Sequence, residues 1–319
     1  MKTSSSIAVV ILIASTAIFA IPAAAQPYPT KPIRILTTET GNSTDYFTRI
    51  IAQGIGTTLG QQVVVDNRGI SAGQITAKAS PDGYTLLSYG SPLWLAPYMR
   101  SHVPYDPARD FATITLSHRS PNILVINTSV PAKSVSELVA LAKAKPGGLN
   151  YGSGSAGSSP HLAAELFKVM AGVDIVRIPY KGTGQALPDL IGGRLQLMFA
   201  SVGSVVQHVK SGKLRALAIT SARPSEIFPG LPTVSESGVP GYVSVSPYGL
   251  FAPAKTATVI ISRLNKEMVT LLQKADVREK FFSAGAEPVG SSPQEFAATV
   301  KDEMTKLGKL IKDFGIRDE

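Results

Sequence analysis

Residues 149–184 read LNYGSGSAGSSPHLAAELFKVMAGVDIVRIPYKGTG, and the order of elements within them decides the fold. A short apolar strand over 149–151 is followed by a loop of small residues. A helix then runs over 160–171, a second strand over 175–179, and a second small-residue loop precedes a short helix after Gly184. Strand, loop, helix, strand and loop in this order is the repeating unit of a parallel sheet covered by helices.

The same order extends in both directions. Strands are expected over 32–36 (PIRIL), 62–66 (QVVVD), 84–88 and 122–126 (NILVI), with a helix over 43–59 ended by Gly60. Downstream, strands over 195–199 and 214–220 flank a helix over 202–210, and the last 65 or so residues are mostly helical. Ser134 with Glu137, and Ser292 with Glu295, have capping-box spacing. The chain has no linker rich in Gly and Ser. Two α/β lobes joined by crossing strands therefore fit better than two separate beads.

Residues 1–25 carry one lysine, a long apolar run and an Ala-Ala-Ala end, the layout of an export leader cleaved between Ala25 and Gln26. Its length is close to that of a span, so an uncleaved anchor is the alternative. The chain has no cysteine, which excludes disulfides, thiolate zinc sites and a lipoprotein anchor. The four histidines lack metal-ligand spacing, so no metal or cofactor is expected. With 17% charged and 44% hydrophobic residues, the exported part is an ordered globular protein. The net charge of +9 is dispersed. Lys301 to Lys312 interleaves both signs as a solvated helix face would, so no nucleic acid partner is expected.

Three strand-to-helix loops are candidate ligand loops, because ligands of α/β sheets sit at the carboxyl ends of strands and helix N-termini attract anions. The first holds Thr38, Glu39, Thr40, Asn42, Ser43 and Thr44. The alternative there is an ordinary cap, with Ser43 or Thr44 as N-cap and Asp45 against the helix dipole. The second holds Ser153, Ser155, Ser158, Ser159 and His161, with Ser158 or Ser159 as the cap. It matches GxGxxG, but no acidic residue ends the next strand, which argues against a dinucleotide. Its Ser153 and Ser155 fall one residue short of a nucleophile elbow, so an exported hydrolase is an alternative, with no general base at defined spacing. The third loop holds Tyr180, Lys181, Gly182 and Thr183, where Lys181 is either a surface charge or a ligand contact. Tyr89 and Trp94 are core or cleft wall, with Trp94 leaning to core.

Several motifs in order resemble one family: YPTKPIR at 28–34, GNSTD at 41–45, VDNR at 65–68, PDGYT at 81–85, PYDP at 104–107, LNYGS at 149–153, GSSPHL at 157–162, PYKG at 179–182 and YGLFAP at 248–253. They resemble the Bug (Bordetella uptake gene) family, the extracytoplasmic solute-binding components of tripartite tricarboxylate transporters. The resemblance implies a periplasmic-binding-protein-like α/β fold of two lobes joined by two crossover strands around a ligand cleft. It places residues 26–120 and 249–319 in one lobe and residues 121–248 in the other, with crossings near Ser120 and Tyr248. It implies capture of a small, carboxylated organic solute and delivery to a membrane permease by a periplasmic, monomeric protein without catalysis. It adds Ala200 and Ser201 to the ligand residues. A sensor role without a permease is a further alternative.

The departures from the family cluster at the expected cleft. The first loop commonly reads PFAAGGSTD and here reads TTETGNSTD, which loses an aromatic wall at Thr38 and adds a carboxylate at Glu39. Residues 69–74 are about four shorter than the family's Gly-rich stretch. An acidic residue is replaced by Ala200, and a tryptophan by Pro247. Glu39 is expected either to select an amine, amide or hydroxyl on the solute or to face solvent and support its helix.

Overall fold

The computed structural model describes residues 28–317 apart from Asn42, Ser155 and Lys181. The expected leader and its cleavage point lie outside the described residues, as do the ligand-loop positions Asn42, Ser155 and Lys181.

The first part of the chain alternates strictly. Strand β1 (Ile33–Thr37) leads to helix α1 (Ser43–Leu59), β2 (Val63–Asn67), α2 (Ala72–Ala77), β3 (Thr85–Gly90) and α3 (Pro92–Met99). Strands β2, β1 and β3 pair in parallel. Along each strand, successive side chains enter opposite layers. Ile33 and Ile35 of β1 and Leu86 of β3 pack on Phe47, Ile51 and Ile55 of α1. Leu36 and Leu87 face the other way, toward Trp94 and Met99 of α3.

Strand β4 (Phe111–Asn127) then runs for 17 residues. Only its second half, over 122–126, was legible as an apolar run, because the first half carries His118, Arg119 and Ser120. The second region holds α4 (Val135–Ala144), β5 (Asn150–Ser153), α5 (Ser159–Ala171), β6 (Val176–Pro179), α6 (Thr183–Ile191), β7 (Leu197–Ser201), α7 (Val202–Lys210) and β8 (Leu214–Ile219). The chain continues through β9 (Val245–Pro253), α8 (Thr258–Leu272), α9 (Ala275–Ser283), β10 (Glu287–Pro288) and α10 (Pro293–Asp313).

The strands run in the order β2-β1-β3-β9-β4-β7-β5-β6, with β8 and β10 also paired to β4. The expected parallel sheet is a mixed one. Strands β5, β6 and β7 are parallel, whereas β4 pairs antiparallel with β7, β8, β9 and β10. Antiparallel pairing follows from the chain passing between lobes and back, since β4 and β9 traverse in opposite directions.

β4 changes partners at the lobe junction. Up to Pro121 it pairs with β9, and from Asn122 it pairs with β7 and β8. In the second lobe Leu124, Ile126, Tyr151 and Phe167 form one layer with α4 and α5. Ile123, Val125, Met198 and Ala200 form the other with α6 and α7. Each lobe is thus an α/β/α sandwich, and the fold is the two-lobed one expected.

Of the two expected capping boxes, one is complete and the other is not. Ser292 forms a complete capping box with Glu295. Ser134 accepts from the Glu137 amide, but the Glu137 carboxylate accepts from Lys133 instead of closing the box.

Candidate functional site

A cleft of about 1270 Å3 separates the two lobes. Four helix N-termini open onto it, through Ser43 of α1, Ser158 and Ser159 of α5, Thr183 of α6 and Ser201 of α7. Each of these helices has eight or more residues, so each presents unpaired N–H groups and the positive end of its dipole. A side chamber of about 310 Å3 is lined by Glu39, Tyr89, Arg100 and Ala156, and shares Pro92, Gly157 and Ser158 with the main cleft.

The loop between β5 and α5 is built to present backbone. Gly157 has φ of +72°, and a Cβ there would strike Met99. Its N–H donates to His161 Nδ1 at 3.0 Å. His161 is buried, and desolvation, then Arg177 and Lys168, push its pKa down to about 4. It is therefore a neutral imidazole with the proton on Nε2, and Nδ1 is spent on the loop's own backbone.

Beneath the same loop, Arg177 of β6 donates from Nε to Ser153 Oγ at 2.8 Å and from a terminal nitrogen to the Gly154 carbonyl at 2.8 Å. Ser153 is fully buried and engaged by this bond. Asn122 of β4 donates to Ser159 Oγ at 2.8 Å. Ser158, at the N-cap of α5, makes no side-chain cap bond, and its buried Oγ has no hydrogen-bond partner among the described residues. A hydroxyl desolvated without a partner costs free energy unless a ligand completes it.

The first loop is fixed by Asp45. Its carboxylate accepts from Gly41 N–H at 2.9 Å and Asn67 Nδ2 at 2.9 Å, and pairs with Arg49 at 3.0 Å. These contacts hold its pKa down against the cost of burial. Asn67 also donates to the Thr38 carbonyl at 2.8 Å. Thr44 is buried, and Thr40 is exposed. Glu39 is exposed at the side chamber, close over Gly69. Tyr89 Oη reaches the Gly69 carbonyl at 3.4 Å, and burial together with the Glu39 charge raises its pKa.

In the third loop Gly182 is the N-cap of α6, and the Tyr180 hydroxyl donates to Asp189 at 2.7 Å. Ala200 is buried in the α6 and α7 layer, because strand alternation turns it away from the cleft that Ser201 lines. Trp94 is core, as its composition suggested.

The structure brings into the site several residues that periodicity passed over. Arg177 is a lone cation in an apolar strand, and that isolation was a usable signal. Asn122 opens an otherwise apolar run. Arg119 and Glu303 line the cleft, but each sits in a polar stretch that gives no such signal. Among the described residues, no group of His, Asp and Glu could hold a metal ion. None of their helices is long and apolar enough to cross a membrane.

The sequence profile of the tripartite tricarboxylate transporter family receptor, TctC, matches residues 47–316. Protein BugT of Bordetella pertussis is 35% identical over 324 residues, covering 99% of each chain. An R. palustris protein solved with adipate superposes with a TM-score of 0.79 at 35% identity, covering 91% of this chain and 99% of that one. MatC from Rhodopseudomonas palustris with bound malate gives 0.74 at 27% identity, covering 89% and 100%. These are binding proteins, and nothing in the likeness supports the hydrolase or sensor alternatives. With its two α/β lobes around a solute cleft and a profile match over most of its length, the chain belongs to the tripartite tricarboxylate transporter receptor family of solute-binding proteins.

Proposed function

We propose that the protein captures a small carboxylate in the periplasm and delivers it to a membrane permease. The observation that carries this reading is the unpartnered Ser158 Oγ at the N-terminus of α5, where three other helix N-termini face the same cleft. A carboxylate there accepts from backbone N–H groups and from Ser158, with no need for a direct ion pair. The adipate and malate bound by two similar proteins support this class of solute.

The ligand set of this reading comprises Thr38, Glu39, Thr40, Asn42, Ser43, Thr44, Tyr89, Ser153, Ser155, Ser158, Ser159, His161, Tyr180, Lys181, Gly182, Thr183 and Ser201. Ser153, Thr44 and His161 shape loops from below. Glu39 stands at the side chamber, where an unpaired carboxylate would repel a second anionic group and accept from an amine, amide or hydroxyl. The partner change of β4 after Pro121 and the start of β9 at Val245 support a division into residues 26–120 with 249–319, and residues 121–248. Closure of these lobes over the solute would create the form the permease recognises. The mature chain begins at Gln26 in this reading, carries no lipid and acts as a monomer.

A thermal-shift screen tests it. Adipate, malate, amino acids, amides and aromatic acids are added to the purified protein, and a ligand that binds only the folded state raises Tm. An acid that raises Tm and is recovered unchanged is the expected result. A hit consumed during incubation, or shifts from neutral solutes alone, would overturn the reading. Glu39→Ala should reorder the ranking between acids with and without an amine, and an unchanged ranking would remove Glu39 from the site.

A further inference from the structure

Across the cleft from the ligand loops of the second lobe, helix α10 presents Glu303. Ser91 Oγ donates to its Oε2 at 2.7 Å, and Trp94 Nε1 donates to the same oxygen at 2.9 Å. Both donors therefore serve one oxygen. Among the described residues Oε1 has no partner and is not sealed from solvent, so it meets the cleft that Glu303 lines. Ser91 and Pro92 line the same cleft as Gly157 and Ser158, so Glu303, bonded to Ser91, stands on the cleft that the α5 N-terminus also lines.

We propose that Glu303 is a further specificity-determining residue, which holds a proton on Oε1 and donates it to the bound anion, so that solute and proton are captured together. This rests on the carboxylate reading given above. Two donors on Oε2 fix that oxygen as the acceptor, which leaves Oε1 as the one to carry the proton. An anion arriving in the cleft adds negative charge beside Glu303 and displaces water, and both effects favour its neutral form.

The surroundings are already set for this. Burial raises the Glu303 pKa to about 7, ahead of the opposing bonds from Ser91 and Trp94. On α10, Asp302 raises it further, but Asp302 is paired with Lys306 at 2.9 Å. From β4, Arg119 lowers it. From β9, the neutral Tyr248 packs nearby, its own pKa pushed up by burial and then by Glu303. The α5 wall opposite contributes Leu162, Leu166 and Met170, which offer no charge. The remaining charges along the cleft are Arg223, which is exposed, and Glu287, which is bonded to Ser225.

Calorimetric titration of the purified protein with adipate and with malate tests the proposal, in HEPES and in Tris, at pH 6, 7 and 8. The expected result is uptake of about half a proton per solute at pH 7, and affinity roughly tenfold weaker at pH 8 than at pH 6. Glu303→Gln keeps a donor that does not titrate, so it should bind with no proton uptake and a flat pH profile. Trp94, the chain's single tryptophan, bonds to Glu303 and supplies a readout without mutation. Its fluorescence should titrate near pH 7 in the free protein and at least one unit higher with saturating solute. Binding without proton uptake, a Gln variant that keeps the pH dependence, or a Trp94 midpoint unmoved by solute would each overturn the proposal and leave carboxylate capture standing. Failure of both acids to bind at any pH would overturn carboxylate capture and this inference with it.

Discussion

Arg177 Nε lies 2.8 Å from Ser153 Oγ, and the same guanidinium reaches the Gly154 carbonyl. One strand's cation thus ties down the loop that follows the neighbouring strand. The positive charge sits under a loop whose upper side faces the cleft.

Arg177→Met should therefore cost both rigidity and affinity. Hydrogen bonds to a charged group are worth about 1.5–3 kcal/mol each. Loss of two of them should lower stability by about 3–6 kcal/mol and weaken binding of adipate or malate at least tenfold. Arg177→Lys, which cannot reproduce the forked pair, should recover little of either. Chemical denaturation and calorimetry measure the two effects. Full rescue by lysine would show that charge alone matters.

Ser158→Ala should move stability and affinity in opposite directions. Removing a hydroxyl that is buried without a partner relieves a cost of about 1–3 kcal/mol in the free protein. The same change removes a donor from the bound solute, about 1 kcal/mol or several-fold in Kd. A variant that melts lower in the absence of solute would contradict the buried, unpartnered state of this hydroxyl.

Acid should destabilise the protein below pH 6.5. His118 is stacked on Tyr248 with centroids 4.8 Å apart and lies against Phe47, and burial pushes its pKa down to about 3. His161 falls to about 4. Both pKa values are depressed on folding, so the unfolded chain binds protons that the folded one does not. Stability is full above 6.5 and is lost as pH falls from 6.5 toward 4 for His161 and toward 3 for His118. Each contributes a slope of up to about 1.4 kcal/mol per pH unit. Glu303 works in the opposite sense, since its raised pKa gives stability at low pH that fades as pH rises through about 7. The two histidines outweigh it between pH 5 and 6.5. His118→Phe should shallow the slope of unfolding free energy over that window, and an unchanged slope would refute the assignment.

Gly249 lies in β9 where it runs beside β4, and a Cβ there would collide with the Phe296 ring and crowd the Thr115 carbonyl. Phe296 is fully buried in α10 and cannot swing away. Gly249→Ala should cost about 1–3 kcal/mol of stability through overpacking. Because β4 and β9 are the crossover strands, it should also alter how the lobes move. Denaturation reads the first effect, and small-angle scattering with and without adipate or malate reads the second.

The local grammar of this protein is written in its residue order. Alternating apolar strands, amphipathic helices and their stops are encoded within a few residues of each other, so α1 from Ser43 to Leu59 and α7 from Val202 to Lys210 were legible outright. The family motifs carried the two-lobed fold. The folded chain alone fixes which way the crossing strands pair, because strand direction depends on where the chain returns from. It also decided which serine at α5 is free. Asn122, 37 residues away, takes Ser159, and Arg177, 24 residues away, takes Ser153, while Ser158 is left without a partner among the described residues. Glu303 shows the same limit most plainly. In the sequence it is one charge in a run of alternating charges, and its distinct chemistry comes from Ser91 and Trp94, more than 200 residues away, which meet it only when the first lobe closes on its own C-terminal helix.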